Sequence, residues 1–309
     1  MSAANPKRQF GNYEILSLIG RGGMAEVFRA RVLTGQRKDA VVALKRLLPE
    51  LAKDPEYVDL FAGEADLSKF LEHPNIVKVY EVGVIKEVYF MVMELIDGRD
   101  LARVLRKCKQ RNLPLPVDFA LYIQRTLLDA LKYAHGAASP SGKPLDIVHG
   151  DVSPSNIFIS RMGDVKLGDF GSARVRGVAS EAGVIAGKPY YLSPGVLEGT
   201  VAIEADLWSA TVTLYELLTL ERPFAGTTQE EVFIAIRERA YRPVRDRRPD
   251  IPRAIEALVD KGFSSLAEER FSSAEEFISE MEGLYDPNVG TPLGIAAVVR
   301  GLFGSDEAS

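Results

Sequence analysis

The sequence predicts an α+β chain in two parts, a small strand-rich segment followed by a larger, mainly helical one. Three observations carry that expectation. From about Tyr13 to Glu94, short β-favouring runs alternate with Gly, Thr and charged residues, and one helix signal interrupts them. After Asp97-Gly98-Arg99-Asp100, which reads as a linker, the chain becomes helical. The 309 residues, 46% of them hydrophobic, are enough for about two domains with sizeable cores.

Taken in order, residues 1–12 read as a flexible arm. Tyr13-Glu14-Ile15-Leu16, Glu26-Val27-Phe28-Arg29-Ala30 and Ala40-Val41-Val42-Ala43-Leu44-Lys45 read as strands. Asp54-Pro55-Glu56 is a helix start: an Asp cap, Pro in the first turn and an acid beside the positive helix end. On that helix Leu60, Glu64, Leu67 and Leu71 fall on one face, and a carboxylate on an apolar stripe needs a cationic partner. Strands follow near Val77–Val84 and Val88–Glu94. Beyond the linker, helices are expected at Val117–Ala134, Asp206–Leu220, Thr228–Arg239, Pro252–Gly262 and Ser273–Tyr285. The run Asp206–Leu220 is apolar nearly all round, as a buried helix would be. The boundaries drawn are 13–96 for the first domain, 97–285 for the second, and 286–309 for a tail with a short docking helix at Leu293–Phe303.

Composition narrows the function. Net charge is −5 and no strongly basic stretch favours nucleic acid or an anionic membrane. Cys108 is the only cysteine, which excludes an intramolecular disulfide and fits a reducing compartment. Met1–Phe10 lacks the apolar core of a signal peptide, and no apolar run approaches the ~18 residues of a membrane helix. A soluble, cytoplasmic protein is the expectation.

Gly20-Arg21-Gly22-Gly23-Met24-Ala25-Glu26-Val27 lies between two strands. Glycines there let backbone N–H groups approach phosphate oxygens, although an ordinary hairpin turn reads the same way. No helix follows, which disfavours a dinucleotide fingerprint. Lys45 alternates with apolar residues on its strand, and Glu64 is the candidate partner. Further on, His149-Gly150-Asp151-Val152-Ser153-Pro154-Ser155-Asn156 precedes Asp169-Phe170-Gly171. Asp151 and Asn156 are five residues apart, and Asp169 follows Asp151 by eighteen. Phosphoryl transfer to a hydroxyl needs a carboxylate to orient the attacking group and oxygen donors for Mg²⁺, and these residues supply them in order.

Together with His73-Pro74-Asn75-Ile76-Val77, these motifs resemble the protein-kinase superfamily over roughly residues 10–285, specifically bacterial serine/threonine kinases related to eukaryotic ones. The resemblance implies a bilobal fold, with a small antiparallel β-sheet lobe plus one helix and a larger mainly helical lobe, and ATP between the lobes. It implies that Gly20, Gly22, Gly23, Val27, Ala43, Lys45, Met93, Glu94 and Ile96 bind ATP. Met93 would guard the adenine pocket, and the Glu94 carbonyl and Ile96 N–H would bond the adenine edge. Asp151 becomes the catalytic base, the Lys45–Glu64 pair positions phosphates, and Asn156 and Asp169 hold Mg²⁺, or Mn²⁺ in its place. Asp206 would anchor the catalytic-loop backbone. His73, His149 and Phe170 are expected to be structural.

Four positions depart from the family pattern. Gly150 replaces the Arg that pairs with a phosphorylated activation loop, and the segment between Gly171 and Gly187 has only Ser172 and Ser180 as hydroxyl residues. Ser153 replaces the catalytic-loop Lys, while Lys188 replaces the Thr of the Gly-Thr-Pro phrase. Either Lys188 restores the lost charge beside the transferred phosphate, as a further catalytic residue, or it points to solvent. Gly195 replaces the Glu that pairs with an Arg, here Arg270, so Glu198 is expected to compensate.

The implied function is a protein serine/threonine kinase, with weakened activity in view of the departures. The alternative is a pseudokinase acting as a nucleotide-binding or scaffolding module. A small-molecule kinase fits the C-terminal helices less well. A protein substrate and a soluble regulatory partner are the expected partners.

Overall fold

The computed structural model describes residues 9–68, 70–139, 141–142, 144–145, 147–170 and 188–304. The chain divides into two compact units, Met1–Glu72 with Val77–Leu95, and His73–Ile76 with Ile96–Ser309. The segment between Gly171 and Gly187, with Ser172 and Ser180, lies outside the described residues.

The first unit is an antiparallel sheet in the order β1-β2-β3-β4-β6-β5, formed by β1 Gln9–Phe10, β2 Tyr13–Arg21, β3 Ala25–Val32, β4 Val41–Leu47, β5 Val79–Ile85 and β6 Val88–Glu94. Strand alternation sorts its side chains into two layers. Tyr13, Ala30, Val42, Leu44, Phe90 and Val92 form one core. Ala25, Ala43, Leu47, Met91 and Met93 form the other, against Phe61 and Ala65 of α1, Pro55–Ser68. Asp54 accepts the Glu56 N–H at 3.0 Å, so the expected helix start is in place.

Two expectations for this unit need correcting. Gln9–Phe10 does not belong to a loose arm: it pairs with Tyr13–Glu14, and the Phe10 ring meets Phe90 edge-on at 5.5 Å. The buried face of α1 runs through Phe61, Glu64 and Ala65, whereas Leu60 is only half-buried. Leu71 is buried but lies beyond the helix end. Counting leucines missed that the aromatic ring beside Leu60 removes more apolar surface.

In the second unit, β7 Gly98–Asp100, β8 Ile157–Ser160 and β9 Val165–Leu167 form a small antiparallel sheet. The expected linker Asp97–Asp100 is therefore partly a strand. Gly98 allows it, because a Cβ there would lie 1.9 Å from the Ile159 carbonyl oxygen. Asp100 then caps α2, Leu101–Arg111, by accepting the Arg103 N–H at 2.8 Å.

Helix α3, Val117–His135, packs on the buried helix Ile203–Thr219. The hydroxyls inside that buried helix are satisfied by bonds one turn back: Thr211 to the Leu207 carbonyl and Thr213 to the Ser209 carbonyl, both 2.9 Å. The helix expected to reach Tyr285 spans only Ala274–Met281, and Gly283 at φ +76° follows. The tail helix, Pro292–Phe303, buries Ile295, Ala296, Val299 and Leu302, and Arg111 donates to the Gly301 carbonyl at 2.8 Å.

Candidate active site

Two groups of predicted site residues are assembled, each within its own unit. In the first unit, β4 and α1 bring Lys45 Nζ to 2.5 Å from Glu64 Oε1, and both side chains are nearly buried. The sheet face that carries Lys45 also carries Val27, Ala43 and Met93. The glycine turn closes with a Gly22 N–H bond to the Ala25 carbonyl at 2.8 Å. A Cβ added at Gly20 or Gly23 would meet nothing within 4 Å, so local packing does not explain glycine at those positions. Glu94 closes β6, and half-buried Ile96 opens the second unit.

In the second unit the loop His149–Asn156 is held by Asp206, which is fully buried. Its carboxylate accepts the N–H groups of His149 and Gly150, both at 2.8 Å, and His135 Nε2 lies 2.9 Å away. Gly150 adopts φ +71°, a conformation that disfavours side chains, so the residue in the Arg position suits this turn. His149 accepts the Asp151 N–H on Nδ1 at 3.1 Å, so Nε2 donates to the Gly168 carbonyl at 2.9 Å. Burial pushes its pKa below the usual histidine value, despite the carboxylates of Asp206, Asp151 and Asp169. Its ring also meets Phe170 edge-on at 4.6 Å. His149 is thus a neutral clamp between the two motifs.

Asn156 donates its amide N–H to the Asp151 carbonyl at 2.9 Å and to Asp151 Oδ2 at 3.0 Å. That fixes the carboxylate and leaves the Asn156 amide oxygen for another partner. Asp169 adopts φ +59°, uncommon for a residue with a side chain and frequent at functional sites. Lys188 does not point away to solvent. Its Nζ donates to Ser153 Oγ at 2.6 Å and lies 3.5 Å from Asp151 Oδ2. A carboxylate, an amide, a hydroxyl and an ammonium therefore converge within one loop and the chain at Lys188.

Comparison with known proteins decides the family. The protein kinase domain model matches residues 13–281. The chain belongs to the protein kinase family. It is 36% identical to the tyrosine-protein kinase MasK of Myxococcus xanthus, over 96% of this chain and 47% of that protein. It is 33% identical to the serine/threonine-protein kinase PrkC of Bacillus subtilis, over 91% of this chain and 41% of that one. A probable serine/threonine-protein kinase of Streptomyces coelicolor is 35% identical, over 97% and 44%. The chain spans less than half the length of each of these relatives.

The kinase pattern also implies Mg²⁺, which the family generally uses with ATP. The donor chemistry fits, since an Asn amide oxygen and an Asp carboxylate are hard oxygen ligands. Among the described residues no cluster of three His, Cys, Asp or Glu side chains could hold a metal alone. A cation at Asn156 and Asp169 would need further oxygens, as Mg²⁺ commonly takes from substrate phosphates. Among the described residues no helix is long and apolar enough to cross a membrane.

One expected contact is absent. Glu198 does not pair with Arg270 within ion-pair distance. Arg270 instead donates to the carbonyls of Ser264 at 2.8 Å and Ser265 at 3.5 Å, and its guanidinium lies 5.2 Å from the Trp208 ring centroid. Burial lowers its pKa, followed by the charge of Arg239, while Glu198 and Glu268 oppose that shift from a distance. Carbonyl dipoles and an aromatic face serve where the family uses a carboxylate.

The sequence reading overlooked Glu216. It is a carboxylate among the apolar residues Leu214, Tyr215, Leu217 and Leu218 of the buried helix, and the reasoning applied to Glu64 would have flagged it. Tyr191 donates its hydroxyl to Glu216, and Arg222 Nε lies 3.4 Å away. Burial raises the pKa of Glu216 against these partners. His73 is structural as expected: its Nδ1 accepts the Asn75 N–H at 3.2 Å, and its ring stacks on Tyr133.

Proposed function

We propose that this chain is a protein serine/threonine kinase, transferring the γ-phosphate of ATP to a protein hydroxyl. The observation that carries the reading is the fixed Asp151 carboxylate, bonded by Asn156 and flanked by the Lys188 ammonium. Asp151 orients the acceptor hydroxyl and takes its proton as the new oxygen–phosphorus bond forms and the bond to the β-phosphate oxygen breaks. Lys45, held by Glu64, grips the α- and β-phosphates, and the turn at Gly20, Gly22 and Gly23 offers backbone N–H groups to the phosphates. Val27, Ala43 and Met93 supply apolar surface for adenine, and the Glu94 carbonyl and Ile96 N–H bond its edge. Asn156 and Asp169 would hold Mg²⁺, which when bound would neutralise charge on the phosphate oxygens.

Lys188 acts as the cation beside the transferred phosphate, in place of the family's catalytic-loop lysine. Such preorganised charge is worth several kcal/mol of barrier in comparable sites, about 2.7–4 per donor. Because ATP is the donor, the domain belongs in the cytoplasm, and its regulator in this reading is a soluble partner.

Serine and threonine are preferred as acceptors because PrkC and the Streptomyces relative carry that description. Tyrosine is the second reading, favoured by the 36% identity to MasK. Phosphoamino-acid analysis of labelled substrate decides between them. Phosphoserine or phosphothreonine is expected, and phosphotyrosine alone would replace the first reading with the second.

A further inference from the structure

Beside the catalytic loop, the second unit contains an open groove of about 690 Å³. Pro154, the residue after Ser153, lines it. Tyr191 lines both this groove and the small cavity that holds Asp151 and Lys188. A polypeptide presenting a hydroxyl to Asp151 would therefore run on into this groove.

The charges in the groove are uneven. Arg106 and Lys109 of α2 are exposed on one wall, and among the described residues neither takes part in an ion pair. Arg222 lies with its guanidinium 3.9 Å from the Tyr190 ring centroid. Two carboxylates also line the groove, but both are engaged. Glu216 is closed off by Tyr191 and Arg222, with a side chain only 12% exposed. Glu221 pairs with Arg247 at 2.9 Å. An incoming basic side chain thus meets two cations and no uncommitted acid, whereas an incoming carboxylate meets Arg106 and Lys109 directly.

We propose that this groove receives an acidic segment of the protein substrate, so that the phosphorylated hydroxyl is one flanked by Asp or Glu. The proposal deepens the kinase reading and depends on it for the word substrate. Binding itself does not require turnover, so the two can fail separately.

The test uses the full chain and fluorescent synthetic peptides that carry one serine flanked by glutamates, by alanines or by lysines, with binding read by anisotropy. Like-charge contact is costly and opposite charge favourable in such a setting. The acidic peptide should bind about tenfold tighter than the neutral one, and the lysine peptide weakest. Arg106→Glu with Lys109→Glu should reduce acidic-peptide binding about tenfold. Arg253→Glu with Arg300→Glu makes the same change in net charge at exposed positions outside the groove, and should leave binding within about twofold.

Equal binding of all three peptides would overturn the proposal, as would an equal effect of the two double variants. A single-stranded oligonucleotide of matched charge that binds tighter than the acidic peptide would overturn it too, assigning the groove to nucleic acid. Selective acidic-peptide binding without phosphate transfer would uphold the groove and remove the kinase reading. Transfer with a preference for lysine-flanked serine would do the reverse.

Discussion

The Lys188 ammonium lies 2.6 Å from Ser153 Oγ and 3.5 Å from Asp151 Oδ2, so the hydroxyl and the amine have traded the positions they hold in the family pattern. Both chemistries are retained while each residue comes from the other's segment. If the ammonium is what matters, Lys188→Met should lower kcat about a hundredfold with little change in ATP binding. Returning the pair to the usual order, Ser153→Lys with Lys188→Thr, should recover most of that loss. Steady-state transfer by the wild type, Lys188→Thr and the double variant checks it, and a double variant no faster than Lys188→Thr would show that position rather than charge is required.

Asp206 organises the backbone of the loop that carries Asp151. Replacing it by Ala leaves the His149 and Gly150 N–H groups without their acceptor in a buried site. Each such group costs about 1–3 kcal/mol, so a stability loss of about 3 kcal/mol is expected in urea unfolding. Activity should fall with it, because the Asp151 backbone follows directly in the chain.

His149 ties stability to acid pH. Its pKa in the folded protein is lowered by burial, so between that value and the unfolded value of 6.5 the unfolded chain binds the extra proton. Stability from this residue is fully present above about pH 6.5 and declines as pH falls through that window. His73, also lowered by burial, adds to the same limb. Melting temperature against pH should therefore drop below about pH 6.5, and His149→Gln should flatten the slope.

Gly163 secures the tail helix. It adopts φ +90°, and a Cβ there would lie 1.7 Å from the Pro292 carbonyl oxygen. Backbone on both sides leaves no flexible end to yield. Gly163→Ala should displace Pro292–Phe303, exposing Ile295, Val299 and Leu302 at a cost of about 2 kcal/mol or more. Hydrogen exchange across 292–303 should accelerate well before that of Ile203–Thr219.

The sequence made the motifs legible because their chemistry is local. Lys45 could be paired with Glu64 since a carboxylate on a buried helix face demands a cation, and the pair is present. The loop His149–Asn156 could be recognised because its residue types and their order resemble the kinase pattern. What stayed hidden depends on tertiary proximity. The two readings of Lys188 are separated only by the fold, which brings it to a residue 35 positions earlier. Arg270 was assigned a carboxylate partner because the family pattern pairs an Arg there with a Glu, whereas backbone carbonyls and the Trp208 face leave no sequence trace. Asp97–Asp100 looked like a linker because glycine usually marks a turn, yet Gly98 is there to admit a neighbouring strand.

The most direct measurement is transfer of labelled γ-phosphate from ATP with Mg²⁺, comparing the wild type with Asp151→Ala on an acidic protein substrate. The account predicts steady labelling by the wild type and at least a hundredfold less by the variant. Equal labelling at background level in both would contradict it.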